Sequence, residues 1–292
     1  MAVAVYGRKF TDNFAPYIQK FFDKLNTIGV GVLIYEPFLD YLKQRINISN
    51  KVKPFTKNNE IINSAEFLFS VGGDGTFLDS TTFIRDSNIP IIGINTGRLG
   101  FLSGVSINEI ETALEDVFAG KFALDQRSLL KVETENNLFG ANNFALNELT
   151  VHKKDSSSMV TINAFIDGDF LNSYWADGLI VATPTGSTAY ALSCGGPIIL
   201  PGSNNFEITP IAPHNLNVRP IVIPDDKVLT LKIEGRSQDF LVSLDSRSKT
   251  IDSSVELKIS KNNFTINLAR LHNENILGTI RNKLNWGLDQ RN

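Results

Sequence analysis

The residues best placed to do chemistry lie in Val71-Gly72-Gly73-Asp74-Gly75-Thr76. They join an apolar run, 67–71, to a segment that reads as helix, so the motif falls at a strand-to-helix turn. Glycines at 72, 73 and 75 let the backbone turn tightly and lie close to a ligand. The first N–H groups of the helix that follows carry partial positive charge and suit phosphate. Gly72, Gly73, Gly75 and Thr76 are therefore candidate phosphate-binding residues. A carboxylate is out of place in a phosphate cradle, because it repels the anion. Asp74 makes sense instead as a base or as a partner of Mg²⁺. The competing reading is a plain turn whose aspartate caps the helix. No GxxxxGK[ST] loop and no GxGxxG follows a strand, so the P-loop and the usual dinucleotide fingerprint are absent.

A second concentration of polar groups runs from Trp175-Ala176-Asp177-Gly178 to the segment TPTGSTAY at 183–190, where five of eight side chains carry hydroxyls. Such a loop offers several neutral donors to ribose, amide and phosphate oxygens. A serine/threonine capping turn is the ordinary alternative. Asn147-Glu148, at a predicted strand start, could hold a diol through amide and carboxylate, although a solvated turn explains the pair more simply. Asp245 follows the apolar run 240–244 and is ambiguous by itself. His214, after Pro213, reads as structural, and Cys194, beside Gly195-Gly196-Pro197, as a small buried residue.

These groups need elements to position them. In the first hundred residues, short apolar runs at 3–6, 32–35, 67–71 and 89–94 alternate with helical spacing. Phe14, Tyr17, Ile18, Phe21, Phe22 and Leu25 mark one helix face, closed by Gly29 and Gly31. Strands alternating with helices imply right-handed crossovers and a parallel sheet. Beyond about 120 the pattern changes to strands at 130–134, 147–152, 160–166, 179–183, 221–223, 228–234, 240–244 and 255–260. Asp167-Gly168 and Glu234-Gly235 are candidate hairpin turns, and a short helical stretch follows Ser187. At the end, Ile276, Leu277, Ile280, Leu284 and Trp286 form an apolar stripe at mostly helical spacing.

The chain has 292 residues, enough to bury a core without a staple. Its 28 lysines and arginines against 31 aspartates and glutamates give a net charge of −3, poor material for wrapping nucleic acid. Cys194 is the only cysteine, which excludes an intrachain disulfide and a cysteine-rich zinc site. His152, His214 and His272 stand at no metal-ligand spacing, so no protein-held metal is expected. No secretory signal and no apolar run of roughly 18 residues is present, so a soluble cytoplasmic protein without membrane contact is expected.

The motifs GGDGT at 72–76, NE at 147–148, DG at 177–178, TPTGSTAY at 183–190, GGP at 195–197 and PIAPHNLNVRPIVIP at 210–224 together resemble the NAD kinases. RNKLNWG at 281–287 is similar to the carboxy-terminal signature of bacterial members. GGDGT alone is shared with lipid kinases and 6-phosphofructokinases, and the 183–190 segment discriminates better. The resemblance implies an α/β protein: a Rossmann-like α/β domain, 1–120 plus 268–292, and a β-sandwich-like NAD-binding domain, 121–267. It also implies a tail packed back on the first domain.

The same resemblance implies transfer of the terminal phosphoryl group of ATP, with Mg²⁺, to the 2′-hydroxyl on the adenosine side of NAD. Asp74 would be the general base, with Gly75 beside it. Asn147 and Glu148 would hold ribose hydroxyls, Asp177 the nicotinamide end, and Thr188, Ala189, Tyr190 and Ser193 the adenine and its surroundings. Ala212, Asp245 and Arg247 would complete the pocket, with a homodimer or homotetramer as the assembly. Two positions depart from the family pattern. Asp245-Ser246-Arg247 stands where many members read aspartate-glycine-glutamine, and Trp175-Ala176 precedes Asp177 where some carry an arginine. The rival readings are a lipid kinase, which needs a membrane-facing segment that the chain lacks, and a catalytically idle NAD-binding regulator.

Overall fold

The computed structural model describes residues 1–49, 51–97, 100–154, 159–235, 239–271 and 275–285. The chain divides into two units, Met1–Gln126 with the stretch beginning at Ile266, and Arg127–Thr265.

The first unit grows from β1 (Ala2–Gly7), α1 (Ala15–Ile28), β2 (Gly31–Tyr35), α2 (Glu36–Leu42), β3 (Lys53–Phe55), β4 (Phe67–Val71), α3 (Asp74–Ile84), β5 (Ile91–Asn95), β6 (Val105–Ser106), α4 (Ile110–Phe118) and β7 (Phe122–Arg127). The helix expected from Phe14 to Leu25 is α1, whose Ile18, Phe21, Phe22 and Leu25 are buried; Gly29 ends it in the left-handed conformation that favours glycine. The second unit holds β8 (Leu130–Glu133), β9 (Phe144–Ala145), β10 (Glu148–Lys153), β11 (Val160–Ile166), β12 (Asp169–Ala176), β13 (Gly178–Ala182), α5 (Tyr190–Ser193), β14 (Asn205–Ile211), β15 (Ile221–Pro224), β16 (Leu229–Glu234), β17 (Phe240–Leu244), β18 (Arg247–Ile251) and β19 (Leu257–Lys261). The chain then returns to the first unit with β20 (Ile266–Leu271) and α6 (Ile276–Leu284).

In the first unit one sheet runs β3-β2-β1-β4-β5-β20-β7, with β6 paired to β5. The pairings of β1 with β2 and β4, of β2 with β3, and of β5 with β4 and β20 are parallel. Strands covered on both faces read as continuous apolar runs, which is why β4 is buried throughout. The second unit has two antiparallel sheets, β15-β14-β13-β10-β17-β18 and β12-β11-β16-β19-β8-β9. Their facing residues form one core; Leu149, Val181 and Val242 come from the first sheet, Ile162, Leu231 and Ile259 from the second. The fold is thus mixed α/β, a parallel-sheet unit followed by a β-sandwich.

Two expectations need correction, and one hairpin holds. Glu234-Gly235 is not a hairpin turn, because β16 and β17 belong to different sheets. Asp167-Gly168 does join the pair β11–β12, with φ of 51° and 92°. In the tail stripe only Ile280 is buried, whereas Leu277 is 49% exposed; Trp286 lies outside the described residues.

Candidate functional site

In the first unit the GGDGT turn follows β4 directly. Gly72 has φ 155°, and a Cβ there would lie 2.3 Å from Thr76 Oγ1. Gly72 and Thr76 are therefore buried against each other, which leaves Gly73 and Gly75 exposed with open space where side chains would be. Gly73 is the residue that caps α3, and Asp74 is its first residue, so the capping-aspartate reading does not hold. The Asp74 carboxylate instead reaches across to the segment 101–103. Oδ2 accepts from Phe101 N at 2.8 Å, and Oδ1 from Leu102 N and Ser103 N, each at 3.1 Å. A Cβ on Gly100 would stand 1.8 Å from Oδ1, so only glycine fits beside the acid. A carboxylate has about four lone-pair positions, and Oδ2, with one donor, retains a place for a proton.

In the second unit Asp245 repeats this bonding at the β17–β18 turn. Oδ2 accepts from Leu146 N at 3.0 Å, and Oδ1 from Asn147 N and Glu148 N at 2.8 and 3.2 Å. Its side chain is 1% exposed. Burial pushes the Asp245 carboxyl up, while the three N–H groups and the Arg247 guanidinium pull it down. The Arg247 guanidinium donates to the carbonyls of Asn142 and Phe144 and lies over the Phe144 ring. The structure places it as a brace on the strand β9.

Asp245 thereby positions Asn147 and Glu148. Asn147 Oδ1 and Glu148 Oε2 are both buried, and neither has a hydrogen-bond partner among the described residues. Burial, reinforced by the charge of Asp245, pushes Glu148 up to about 8, against a Tyr190 N–H that pulls it down. Two buried polar oxygens without partners are costly unless a ligand or water completes their hydrogen bonds. A pair of hydroxyls has the right chemistry.

The hydroxyl-rich loop is used differently from what its composition suggested. Thr183 Oγ1 donates to Leu146 O at 2.5 Å, Ser187 Oγ to Pro184 O at 2.7 Å, and Thr185 Oγ1 accepts from Arg127 Nη1 at 3.0 Å. All three residues are buried, and their hydroxyls knit the loop to itself and to its neighbours. Gly186 packs on the Asn147 backbone, where a Cβ would meet Asn147 O at 2.2 Å. Thr188 and Ala189 are half-buried, and Tyr190 and Ser193 exposed. Tyr190 stacks on His152, centroids 5.7 Å apart and planes 12° from parallel. Burial lowers the His152 pKa, opposed by the charge of Asp177. Asp177 itself is paired with Lys153. Ala212 is exposed, with φ of 44°. His214 donates its backbone N–H to Trp175 O at 2.9 Å and packs its ring on Trp175, a structural role. Cys194 is half-buried rather than enclosed. Sequence reasoning missed Gly100, His152, Lys153 and Glu207, because none stands in a distinctive local pattern.

Comparison with known proteins bears on the whole chain. Residues 39–122 match the ATP-NAD kinase N-terminal domain, and residues 146–271 the ATP-NAD kinase C-terminal domain. An NAD kinase of Cytophaga hutchinsonii is 49% identical over 293 residues, and one of Flavobacterium psychrophilum 47% over 294, each alignment covering 100% of both chains. Among solved structures, yeast NADH kinase complexed with NADH superposes with a TM-score of 0.86 at 25% identity, covering 99% of this chain and 89% of that one. An NAD kinase from Archaeoglobus fulgidus in complex with ATP gives 0.75 at 26%, covering 98% and 99%. Matches that run through both units in order, with relatives near half identical end to end, mean that this chain belongs to the NAD kinase family.

Proposed function

We propose that the chain transfers the terminal phosphoryl group of ATP to the 2′-hydroxyl of the adenosine ribose of NAD, giving NADP, with Asp74 as the proton acceptor. As the ribose oxygen bonds to the terminal phosphorus, its proton passes to Asp74 Oδ2 and the bridging P–O bond breaks to release ADP. The N–H bonds from 101–103 hold the carboxylate at a fixed angle, and the exposed Gly73 and Gly75 leave room beside it for phosphate. The observation that carries the reading is the pair of buried oxygens without partners among the described residues, Asn147 Oδ1 and Glu148 Oε2, which suits a ribose diol, whose hydroxyls both donate and accept. Asp177, Thr188, Ala189, Tyr190, Ser193 and Ala212 would line the rest of the NAD site, with Asp245 and Arg247 acting from behind as supports.

Among the described residues no three His, Cys, Asp or Glu side chains gather as a metal cage. We therefore read Mg²⁺ as part of the nucleotide substrate, held by its phosphates, where it neutralises charge on the transferred group. No helix among the described residues is long and apolar enough to cross a membrane, and we assign the enzyme to the cytoplasm. A homodimer or homotetramer is supported by apolar residues on and near the edge strand β15: Ile221 and Val222, 36% and 44% exposed, and Leu216, 88% exposed.

The test is a coupled assay with NAD, ATP and Mg²⁺ in which an NADP-specific dehydrogenase reports product. Asp74→Asn should lower turnover by about 10²–10⁴-fold, the span usual for acid–base catalysis, with little change in the KM for NAD. Near-normal turnover would remove the base assignment. A fall matched by an equal loss of folded protein would make Asp74 an anchor of 101–103 only.

A further inference from the structure

The outer face of β13 and β14 carries the short helix α5, and that platform has an unexpected residue. Ile180, Ala182, Ala191 and Ile211 form a small apolar cluster beneath α5. The register pairs Ala182 with Glu207, Ile180 with Thr209 and Gly178 with Ile211, and alternation along a strand puts 207, 209 and 211 on one face. Glu207 and Thr209 therefore continue the apolar platform, and both are fully buried. An aliphatic side chain would be the ordinary filler there. Glu207 Oε1 accepts from Thr209 Oγ1, while Oε2 is buried without a partner among the described residues.

The carboxyl fits against a glycine. A Cβ on Gly196 would lie 1.8 Å from Glu207 Oε1, 2.8 Å from its Cδ and 3.0 Å from Ala191 O. Gly196 N donates to Ala191 O at 2.9 Å, closing the turn that ends α5. The residues 190–196 thus rest on the Glu207 head group at Gly196, the second of the turn's two glycines.

We infer that Glu207 is a positioning residue for the NAD site: its buried carboxyl, seated under Gly196, sets the turn that carries Tyr190 and Ser193. The inference rests on the reading that Tyr190 and Ser193 contact NAD. Burial pushes the Glu207 carboxyl up, with the Thr209 hydroxyl pulling the other way. A neutral carboxyl and a primary amide have nearly the same shape and can make the same bond to Thr209, which makes glutamine the conservative variant.

Glu207→Leu keeps the volume but removes the polar contact. It should raise the KM for NAD by about tenfold, a fraction of the roughly 100-fold that a displacement near 1 Å can cost, with the KM for ATP unchanged. Glu207→Gln should return the KM for NAD to near the wild-type value. Gly196→Ala, which pushes the turn off the carboxyl, should reproduce the leucine variant. A leucine variant with wild-type KM for NAD would overturn the inference, as would one in which only the active fraction falls and both KM values stand. Tyr190→Ala is measured alongside. An unchanged KM for NAD there removes the underlying site reading. A raised value there with none in Glu207→Leu removes this inference alone.

Discussion

Asp74 in the parallel-sheet unit and Asp245 in the sandwich are each held by three backbone N–H groups contributed by consecutive residues, 101–103 and 146–148. Their surroundings differ. Asp245 is enclosed, close to the Arg247 guanidinium, and its donors include Asn147 and Glu148, whose side chains each keep a buried oxygen without a partner among the described residues. Asp74 is half-exposed between two bare glycines. The same bonding therefore supports two roles. Where access is closed the acid is scaffolding; the half-exposed Asp74 is, on the function proposed above, a reagent whose angle is fixed in advance.

That contrast can be broken most forcefully at Asp245. Asp245→Ala would strand three backbone N–H groups, and should lower the unfolding free energy by about 3–5 kcal/mol in denaturant titrations. A loss well under 1 kcal/mol would show that Asp245 is not scaffolding. Gly100→Ala addresses the other side. Asp74 cannot yield to the new Cβ without releasing N–H bonds, so turnover should fall by about 10–100-fold while the KM for NAD moves little. Normal turnover would mean that the pinning of Asp74 is irrelevant to catalysis.

Glu148 sharpens the comparison through pH. Its folded value of about 8 lies above the ordinary 4.5. Between those values the unfolded chain binds fewer protons than the folded one, so this group makes stability decline as pH rises, by at most about 1.4 kcal/mol per unit. Glu148→Gln should flatten that limb in unfolding midpoints taken from about pH 5 to about pH 9. An unaltered slope would place the titration elsewhere. The smallest effect is expected at Arg247→Lys, which exchanges a fork bridging two carbonyls for a single ammonium, about 1 kcal/mol by thermal unfolding. A larger effect on the KM for NAD than on stability would return Arg247 to the ligand.

Much of the first unit was legible because its signals are local. The strand β4 stands in the chain as five apolar or small residues, and the glycines after it admit few conformations. The hydroxyl-rich loop was legible as a special segment and misread in its chemistry. Nothing local shows that Thr183 turns to Leu146, 37 residues away, or that Thr185 meets Arg127, 58 away. Asp245 acts across 97 to 99 residues, and no spacing rule reaches that far. Among the elements, β14 was missed because Glu207 and Pro210 interrupt an apolar run, and β12 because the half-buried Asn172 and Ser173 break its apolar pattern. Both are side chains whose placement is decided by partners on other strands.

The position of β20 has a consequence for how the protein is made. It lies between β5 and β7, yet the whole of Arg127–Thr265 separates it from β7 along the chain. During synthesis the sandwich is complete in sequence before this strand emerges, whereas the parallel sheet waits with an interior place unfilled. Until then β5 and β7 present open edges, which invite pairing with other chains. Closing the sheet also means bringing together segments far apart in sequence, a slow step by its topology. The enzyme's first unit is thus begun first and finished last, and a ribosome that stalls before Ile266 releases a chain whose second unit is whole and whose first is sticky.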